Sequence, residues 1–295
     1  MKPVLKYPGG KSKLLPWIKE YLPHTDSYAY CEPFVGAGSV LTGLDPQSER
    51  IFINDLNPTL YSWYKFLAYG TDNDFWQFRE LLFESVFEDF LDYEDMDKRR
   101  EFYLEKRTQF NQTKDEICKC VLLVFLSHTC FNGLFRVNSK GEFNVPMGSY
   151  TNFNLSRLEE NLEKHRAYFK SIAPKLSISN LTYNKHIEEV IEYAPTNKRI
   201  FIYCDPPYCS QDDGKSAFTG YTKEQFGIEE NLGLLEFLSN CPCNVLFLLS
   251  NINRSELLGL AKEKGLHVHT KECNFVVGGG DRVKPCLEVL ISNYK

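Results

Sequence analysis

The stretch Ile202-Tyr203-Cys204-Asp205-Pro206-Pro207-Tyr208 decides the fold. The apolar run from Ile200 to Cys204 predicts a buried strand, and a carboxylate, two prolines and an aromatic ring follow at its carboxyl end. Ligands bind at that end of the strands in open α/β sheets. The Asp205 carboxylate and the Pro206 carbonyl are both acceptors, which suits a planar group with an NH2, and Tyr208 offers a flat face. Taken by itself, the stretch is also compatible with a plain strand-ending turn.

Length and composition are those of a globular chain. Its 295 residues, 43% hydrophobic and 14% aromatic, can bury a large core in one or two domains. The longest apolar run, Val121 to Leu126, is too short to span a membrane, and the amino terminus has no apolar signal region, so we expect a cytoplasmic protein without a membrane segment. The ten cysteines lack the two-residue spacing of zinc sites, which predicts reduced thiols and no metal.

The charge is unevenly distributed. The net charge of −5 argues against a polyanionic partner, but nine acidic and three basic residues lie between Glu80 and Glu101, so the remainder of the chain carries +1. An acidic face directed away from a polyanion and a merely solvated surface both explain this segment.

Two glycine-containing turns precede predicted helices. Lys6-Tyr7-Pro8-Gly9-Gly10-Lys11 leads into helical spacing from Leu14, and Glu32-Pro33-Phe34-Val35-Gly36-Ala37-Gly38 follows a predicted strand. Free N–H groups at such turns bind anionic groups, and glycines allow a nucleoside to approach the backbone. A second strand then ends at Asp55, the usual position of a carboxylate that binds ribose hydroxyls. Together these stretches indicate an adenosine-bearing cofactor.

The pattern becomes helical after Pro58. Amphipathic segments are predicted at 59–69, 74–90, 97–111 and 114–128, with no strand of the main sheet between them. One segment differs, since residues 129–148 alternate polar and apolar side chains about an Asn-Ser-Lys-Gly turn and predict a β-hairpin. A two-stranded ribbon fits the major groove of DNA, where Arg and Asn side chains read base edges, although a capping hairpin has the same pattern. The candidate readers are Asn132, Arg136, Asn138 and Asn144.

The sheet resumes near Leu176 and continues through strands predicted at 200–204, 244–250, 266–270 and 287–294. Residues 209–221 are polar and contain glycine, which predicts a flap over the pocket with Lys215, Phe218 and Tyr221 as its working groups. A second loop is predicted at 274–284, around Gly278-Gly279-Gly280.

The order of these motifs resembles the Dam-type (α group) adenine-N6 DNA methyltransferases, over nearly the whole chain. Phe-Asn-Gly-Leu-x-Arg-x-Asn and Gly-x-Phe-Asn-Val-Pro are close to the hairpin of members that act on GATC. The resemblance implies an α/β fold, with a Rossmann-like class I methyltransferase sheet and an inserted helical target-recognition domain carrying a β-hairpin. We therefore expect a catalytic domain at 1–58 and 180–295 and a recognition domain at 59–179.

The resemblance also implies the roles of individual residues. S-adenosylmethionine would contact Asp55 through its ribose, and its adenine would lie near Thr182 and Tyr183, where the acid that relatives often carry is absent. Asp205 and Pro206 would accept hydrogen bonds from N6 of a flipped-out adenine, with Pro207 and Tyr208 completing the site. Further cofactor-binding residues would be Tyr7, Gly9, Lys11, Glu32, Phe34, Gly36, Gly38 and Asp205. DNA would contact Asn132, Leu134, Arg136, Asn138, Lys140, Asn144 and Pro146.

The resulting expectation is an enzyme that methylates double-stranded DNA as a monomer or weak dimer, without a metal. Two alternatives stay open. The substrate could be RNA or a protein amide, although protein-glutamine enzymes usually carry Asn at the position of Asp205. The chain could also be a catalytically silent nucleic-acid-binding module, which the intact tetrapeptide and Asp55 disfavour.

Overall fold

The computed structural model describes residues 1–24, 27–149, 152–193, 198–208, 226–276 and 283–295. Within these residues the strands are β1 (Tyr28–Glu32), β2 (Ile51–Asn54), β3 (Leu176–Ser179), β4 (Arg199–Cys204), β5 (Val245–Ile252), β6 (His267–Val276) and β7 (Val283–Ser292). They form one mixed sheet in the order β3-β2-β1-β4-β5-β7-β6. The first five of these are parallel neighbours, and β7 runs antiparallel to β5 and β6. The α/β fold predicted from the sequence is confirmed.

Both faces of the sheet are covered, which explains the continuous apolar strands. Along β4, Phe201 and Tyr203 face one side of the sheet while Ile200, Ile202 and Cys204 face the other. The helices are α1 (Leu15–Glu20), α2 (Ser39–Leu44), α3 (Pro58–Tyr69), α4 (Asp72–Arg79), α5 (Glu88–Asp92), α6 (Met96–Gln112), α7 (Glu116–Thr129), α8 (Leu155–Ile172), α9 (Tyr183–Tyr193), α10 (Ile228–Ser239) and α11 (Ser255–Glu263).

The helices between β2 and β3 share a hydrophobic core with one face of the sheet. Buried side chains of α3 and α7, such as Trp63 and Phe125, belong to the same cluster as Tyr30 of β1 and Phe201 of β4. The helix predicted at 74–90 is confirmed as a continuous helical segment, in which π-helical turns at Glu80–Phe87 lie between α4 and α5. These turns place Leu82, Val86 and Phe87 in the core.

The segment at 129–148 departs from the predicted regular ribbon. It contains two isolated antiparallel bridges, Cys130↔Met147 and Val137↔Phe143, and a short 3-10 turn at Phe131–Gly133. Asn132 and Gly133 have φ of 54° and 60°, a left-handed conformation that interrupts an extended strand. We call residues 130–147 the recognition loop. The loop predicted at 274–284 is also shorter than expected, because β6 continues to Val276 and β7 begins at Val283.

Arg166 of α8 fixes the carboxyl-terminal end of α3. Its buried guanidinium donates to the carbonyls of Phe66 at 2.8 Å and Leu67 at 2.9 Å, and also to Gly70 at 2.5 Å and Thr71 at 3.0 Å. These carbonyls lie at the helix end, where backbone partners are lacking. A charged side chain thereby joins α8 to the end of α3.

We expect Arg166→Met to destabilise the fold by about 3 kcal/mol, because several buried carbonyls lose their donor at once. Urea denaturation followed by circular dichroism measures this change. The control is Arg157→Met, the same substitution at an exposed position of α8, which is expected to have little effect. Equal effects of the two substitutions would contradict the capping role of Arg166.

Candidate active site

A glycine turn joins β1 to α2 at the carboxyl edge of the sheet. Gly36 and Gly38 have φ of 50° and 72°, in the left-handed region that favours glycine. A Cβ on Gly38 would lie 2.9 Å from the hydroxyl of Tyr64, so this position also requires a close approach. Asp55, after β2, accepts the N–H of Gly36 at 3.0 Å and that of Asn57 at 2.9 Å. Burial raises the pKa of Asp55 to about 6, while these two N–H groups oppose the rise.

Asp205 forms a buried ion pair directly after β4. Its Oδ1 lies 2.8 Å from Nζ of Lys11, which also donates to the Gly9 carbonyl at 2.9 Å. The Lys11 backbone N–H donates to Ser39 Oγ at 3.1 Å, so the first glycine turn is fastened to the second. Burial raises the pKa of Asp205 and the Lys11 ammonium opposes this rise. The glycine-glycine-lysine turn and the tetrapeptide therefore form one site.

The ring of Tyr208 is held in place from two sides. Its hydroxyl donates to Glu288 Oε2 at 2.8 Å and lies 3.1 Å from Ser250 Oγ, while Lys11 Nζ lies 4.5 Å from the ring centroid. Next to it, Asn231 Nδ2 contacts the Pro207 carbonyl at 3.3 Å. These interactions fix the conformation of the tetrapeptide and the orientation of its aromatic ring.

A cleft of about 730 Å³ opens between the glycine turns and the tetrapeptide. It is lined by all but one of the sequence-predicted cofactor residues and by all four catalytic candidates, namely Tyr7, Gly9, Lys11, Glu32, Phe34, Gly36, Asp55, Thr182, Tyr183, Asp205, Pro206, Pro207 and Tyr208. Gly38 is the exception, because it lies against Tyr64 and shapes the turn. Within the cleft, burial raises the pKa of Glu32 to about 8, against the hydrogen bond from Tyr30 at 2.7 Å.

Comparison with known proteins agrees with this geometry. Residues 7–272 match the model of the D12 class N6 adenine-specific DNA methyltransferases. The chain is 34% identical over its full length to the type II methyltransferase M.MjaIII of Methanocaldococcus jannaschii, of which it covers 99%. It is 31% identical to a DNA adenine methylase of Salmonella typhi, across 95% of this chain and 91% of that protein.

The chain belongs to the D12 class. It is an adenine-specific DNA methyltransferase, as its sequence predicts, and its relatives do not support an RNA or protein-amide substrate or a catalytically silent module. The part of the enzyme that the structure describes has no helix long and apolar enough to cross a bilayer. Within the same residues no group of three or more His, Cys, Asp or Glu side chains could hold a metal ion.

Several cleft residues of the methyltransferase are not evident from its sequence. Phe226 packs against Phe34 and Tyr183, with ring centroids 5.7 and 6.1 Å apart, and the latter two rings lie 5.8 Å from each other. A sequence motif marks Phe34 and Tyr183, but Phe226 follows a long polar segment without a pattern. Glu288 and Ser250 lie in apolar strands, where alternation indicates only core packing. The predicted flap groups Lys215, Phe218 and Tyr221 and the Gly278-Gly279-Gly280 turn lie outside the described residues.

The predicted DNA-contacting residues lie together on the recognition loop. Asn132, Arg136, Lys140 and Pro146 are exposed, whereas Leu134, Asn138 and Asn144 are partly buried. Asn138 Oδ1 accepts the N–H groups of Lys140 and Glu142, at 2.9 and 3.0 Å, so its side chain builds the turn. Arg136 Nε donates to Asn144 Oδ1 at 2.7 Å. Asn138 and Asn144, which were predicted to contact DNA, therefore also organise the loop itself.

The fully buried carboxyl of Glu288 makes stability depend on pH. Burial raises its pKa from 4.5 to about 7, although the Lys11 ammonium opposes this rise. The folded protein holds this proton more tightly than the unfolded chain, so stability from this group falls as the pH rises from about 4.5 to about 7. We expect the free energy of unfolding of Glu288→Gln to rise by about 2 kcal/mol, relative to that of the wild type, as the pH goes from 5 to 8.

Urea unfolding at several pH values measures this difference. Glu272→Gln, an exposed carboxylate on β6, is the matched control and should show a constant difference from the wild type. A constant difference for Glu288→Gln as well would contradict the assigned pKa.

Proposed function

We propose that this enzyme transfers a methyl group from S-adenosylmethionine to N6 of a flipped-out adenine, within GATC, in double-stranded DNA. The observation that supports it best is the buried Lys11–Asp205 ion pair, which lines the cleft next to the Tyr208 ring. Residues 1–58 and 180–295 would form the catalytic domain, and residues 59–179 the recognition domain.

The cleft fits the proposed cofactor in three ways. S-adenosylmethionine supplies an electrophilic methyl group on a positively charged sulfonium, and the carboxyl groups of Asp55 and Asp205 line the cleft. Each Asp55 oxygen accepts one N–H group and keeps a lone pair for a ribose hydroxyl. Three aromatic rings offer stacking surfaces for the cofactor adenine, namely Phe34, Tyr183 and Phe226. Stacking on these rings would take the place of the carboxylate that the sequence lacks near Thr182.

Asp205 would act on the substrate amine as a hydrogen-bond acceptor. Adenine N6 is a poor nucleophile because its lone pair is delocalised into the ring. Hydrogen bonds from its two N–H groups to Asp205 and to the Pro206 carbonyl would localise that lone pair and direct it at the methyl group. Lys11 Nζ lies 2.8 Å from Oδ1 of Asp205 and favours the charged carboxylate, which is the form that accepts hydrogen bonds from the amine.

Base flipping follows from the location of the site. The cleft is concave, and the target amine of a stacked base pair lies inside the duplex, so the adenine must leave the stack to reach Asp205. Tyr208 would then stack on the adenine, because its hydroxyl is fixed by Glu288 and Ser250 and the ring cannot rotate freely.

Expression in a methylation-deficient bacterial host tests this proposal. Single-molecule sequencing of plasmid DNA should show N6-methyladenine confined to GATC. In single turnover with purified protein, Asp205→Ala should slow transfer at least about 100-fold, as for the loss of one preorganised polar contact, while cofactor still binds in calorimetry. Asp89→Ala, at an exposed carboxylate, is the control. Methylation in another context would overturn the GATC assignment, and near-normal transfer by Asp205→Ala would overturn the role of Asp205.

Arg136 is proposed to read one guanine of the site. We expect Arg136→Ala to lose about 1 to 3 kcal/mol of discrimination at a single base position, because a bidentate contact to guanine is removed. Steady-state kcat/KM on duplexes with each single substitution measures this loss. Lys140→Ala, at the loop tip, should instead weaken binding to all sequences and reduce the salt dependence. If Arg136→Ala behaves in the same way as Lys140→Ala, then Arg136 contacts phosphate.

A further inference from the structure

The recognition loop has little backbone pairing of its own. Its two arms are joined by two isolated bridges, Cys130↔Met147 and Val137↔Phe143, and by a few backbone hydrogen bonds such as that from the Phe131 N–H to the Pro146 carbonyl at 2.9 Å. A two-stranded hairpin is marginally stable in water even when it is regular, so these arms need support from elsewhere in the protein. The support comes from one face of α6.

Three side chains of α6 donate to the returning arm of the loop. Tyr103, Arg107 and Asn111 are spaced four residues apart and therefore lie on the same helix face. The Tyr103 hydroxyl donates to the Val145 carbonyl at 2.8 Å, and Arg107 Nη1 contacts the same oxygen at 3.2 Å. Helix α6 thus binds the loop backbone directly through polar side chains.

Asn111 makes the most specific of these contacts. Its Nδ2 donates to the Phe143 carbonyl at 3.0 Å, and its Oδ1 accepts the Phe143 N–H at 2.8 Å. A neighbouring β-strand would offer the same donor and acceptor to one residue. The Asn111 amide therefore replaces a strand partner at Phe143, the residue that bridges to Val137 on the other arm.

The contact at Phe143 is connected to Arg136 through the next residue. The Asn144 N–H donates to the Arg136 carbonyl at 3.1 Å, and Arg136 Nε donates to Asn144 Oδ1 at 2.7 Å. Arg136 Nη2 also contacts the Asn144 carbonyl, at 3.5 Å, so Asn144 holds the exposed guanidinium through both its side chain and its backbone. The backbone position at 143–144 consequently sets the direction of the guanidinium.

Apolar contacts keep the loop docked independently of the amide. The Phe143 ring lies 5.8 Å from Phe110 of α6 and 5.4 Å from Phe135 of the opposite arm, and all three side chains are buried. Replacement of Asn111 by an apolar residue of similar size should therefore leave the loop attached to α6 while releasing its backbone position.

We propose that Asn111 is a positioning residue for base recognition, which fixes the backbone at Phe143 so that Arg136 reaches a single guanine. This inference rests on the proposed function of Arg136 as a base reader. A merely structural role would lower stability and lower activity on all sequences equally, whereas a positioning role changes the ratio between sequences.

The test uses Asn111→Leu in the full-length enzyme. We measure kcat/KM on a GATC duplex and on duplexes substituted at each guanine-containing base pair. At the base pair read by Arg136, the ratio of kcat/KM on GATC to kcat/KM on the substituted duplex should fall about tenfold, as for the loss of a well-placed base contact. The change in kcat/KM on GATC itself should be smaller. Thr108→Val, which removes an exposed hydroxyl on the same helix, is the matched control and should keep wild-type discrimination.

A double variant separates positioning from other effects. If Asn111 acts through Arg136, then Asn111→Leu added to Arg136→Ala should cause no further loss of discrimination. The inference would be overturned if Asn111→Leu kept wild-type discrimination, or if it lowered kcat/KM equally on every duplex. Asn111→Asp keeps the acceptor for the Phe143 N–H, replaces the donor to the Phe143 carbonyl by a charged oxygen, and provides the same measurement if the leucine variant does not fold. If the wild type itself does not discriminate, or Arg136→Ala changes nothing, the proposed function fails instead.

Discussion

The buried ion pair between Lys11 and Asp205 is the interaction on which the active site depends. It joins the turn before α1 to the turn after β4, two segments that are far apart in the chain. Both side chains are largely buried, so removal of one partner would leave an uncompensated charge at a cost of about 3 to 5 kcal/mol. The same ammonium lies over Tyr208 and contacts the Gly9 carbonyl. One charge thus fixes the glycine turn, the carboxylate and the aromatic ring relative to each other.

The amino-terminal segment also joins the cofactor cleft to the recognition loop. Tyr7 lines the cleft, and its ring lies 5.5 Å from that of Phe135 in the loop. His128, at the end of α7, contacts the Val4 carbonyl at 2.8 Å, and a Cβ on Gly133 would lie 2.7 Å from Cβ of Lys6. Residues 4–11 are therefore packed between the two sites, and neither site can change its geometry independently of this segment.

The sequence predicts local features well and long-range pairings poorly. The strand before Asp205, the glycine turns and Asp55 were each predictable, because an apolar run or a glycine makes a local demand on the backbone. The contact of Glu288 with Tyr208 depends on the strand order, which places β7 between β5 and β6, and the Lys11–Asp205 ion pair joins two turns that are far apart in the chain. No local pattern contains that order. The hairpin at 129–148 was predicted from its alternation, but its irregularity was not, since side chains of α6 bind the returning arm.

The recognition loop is organised by contacts within the protein itself. Asn138 holds the turn through two backbone N–H groups, Asn144 holds Arg136, and buried rings of Phe135 and Phe143 attach the loop to the protein. Ordering a flexible loop on binding would cost conformational entropy, which a preformed loop avoids. Under the proposed function few side chains of the loop would be left to read bases, so sequence discrimination would depend on where those few are placed. Placement, in turn, comes from the same packed frame that shapes the cofactor cleft, because Phe135 contacts Tyr7 on one side and Phe143 on the other.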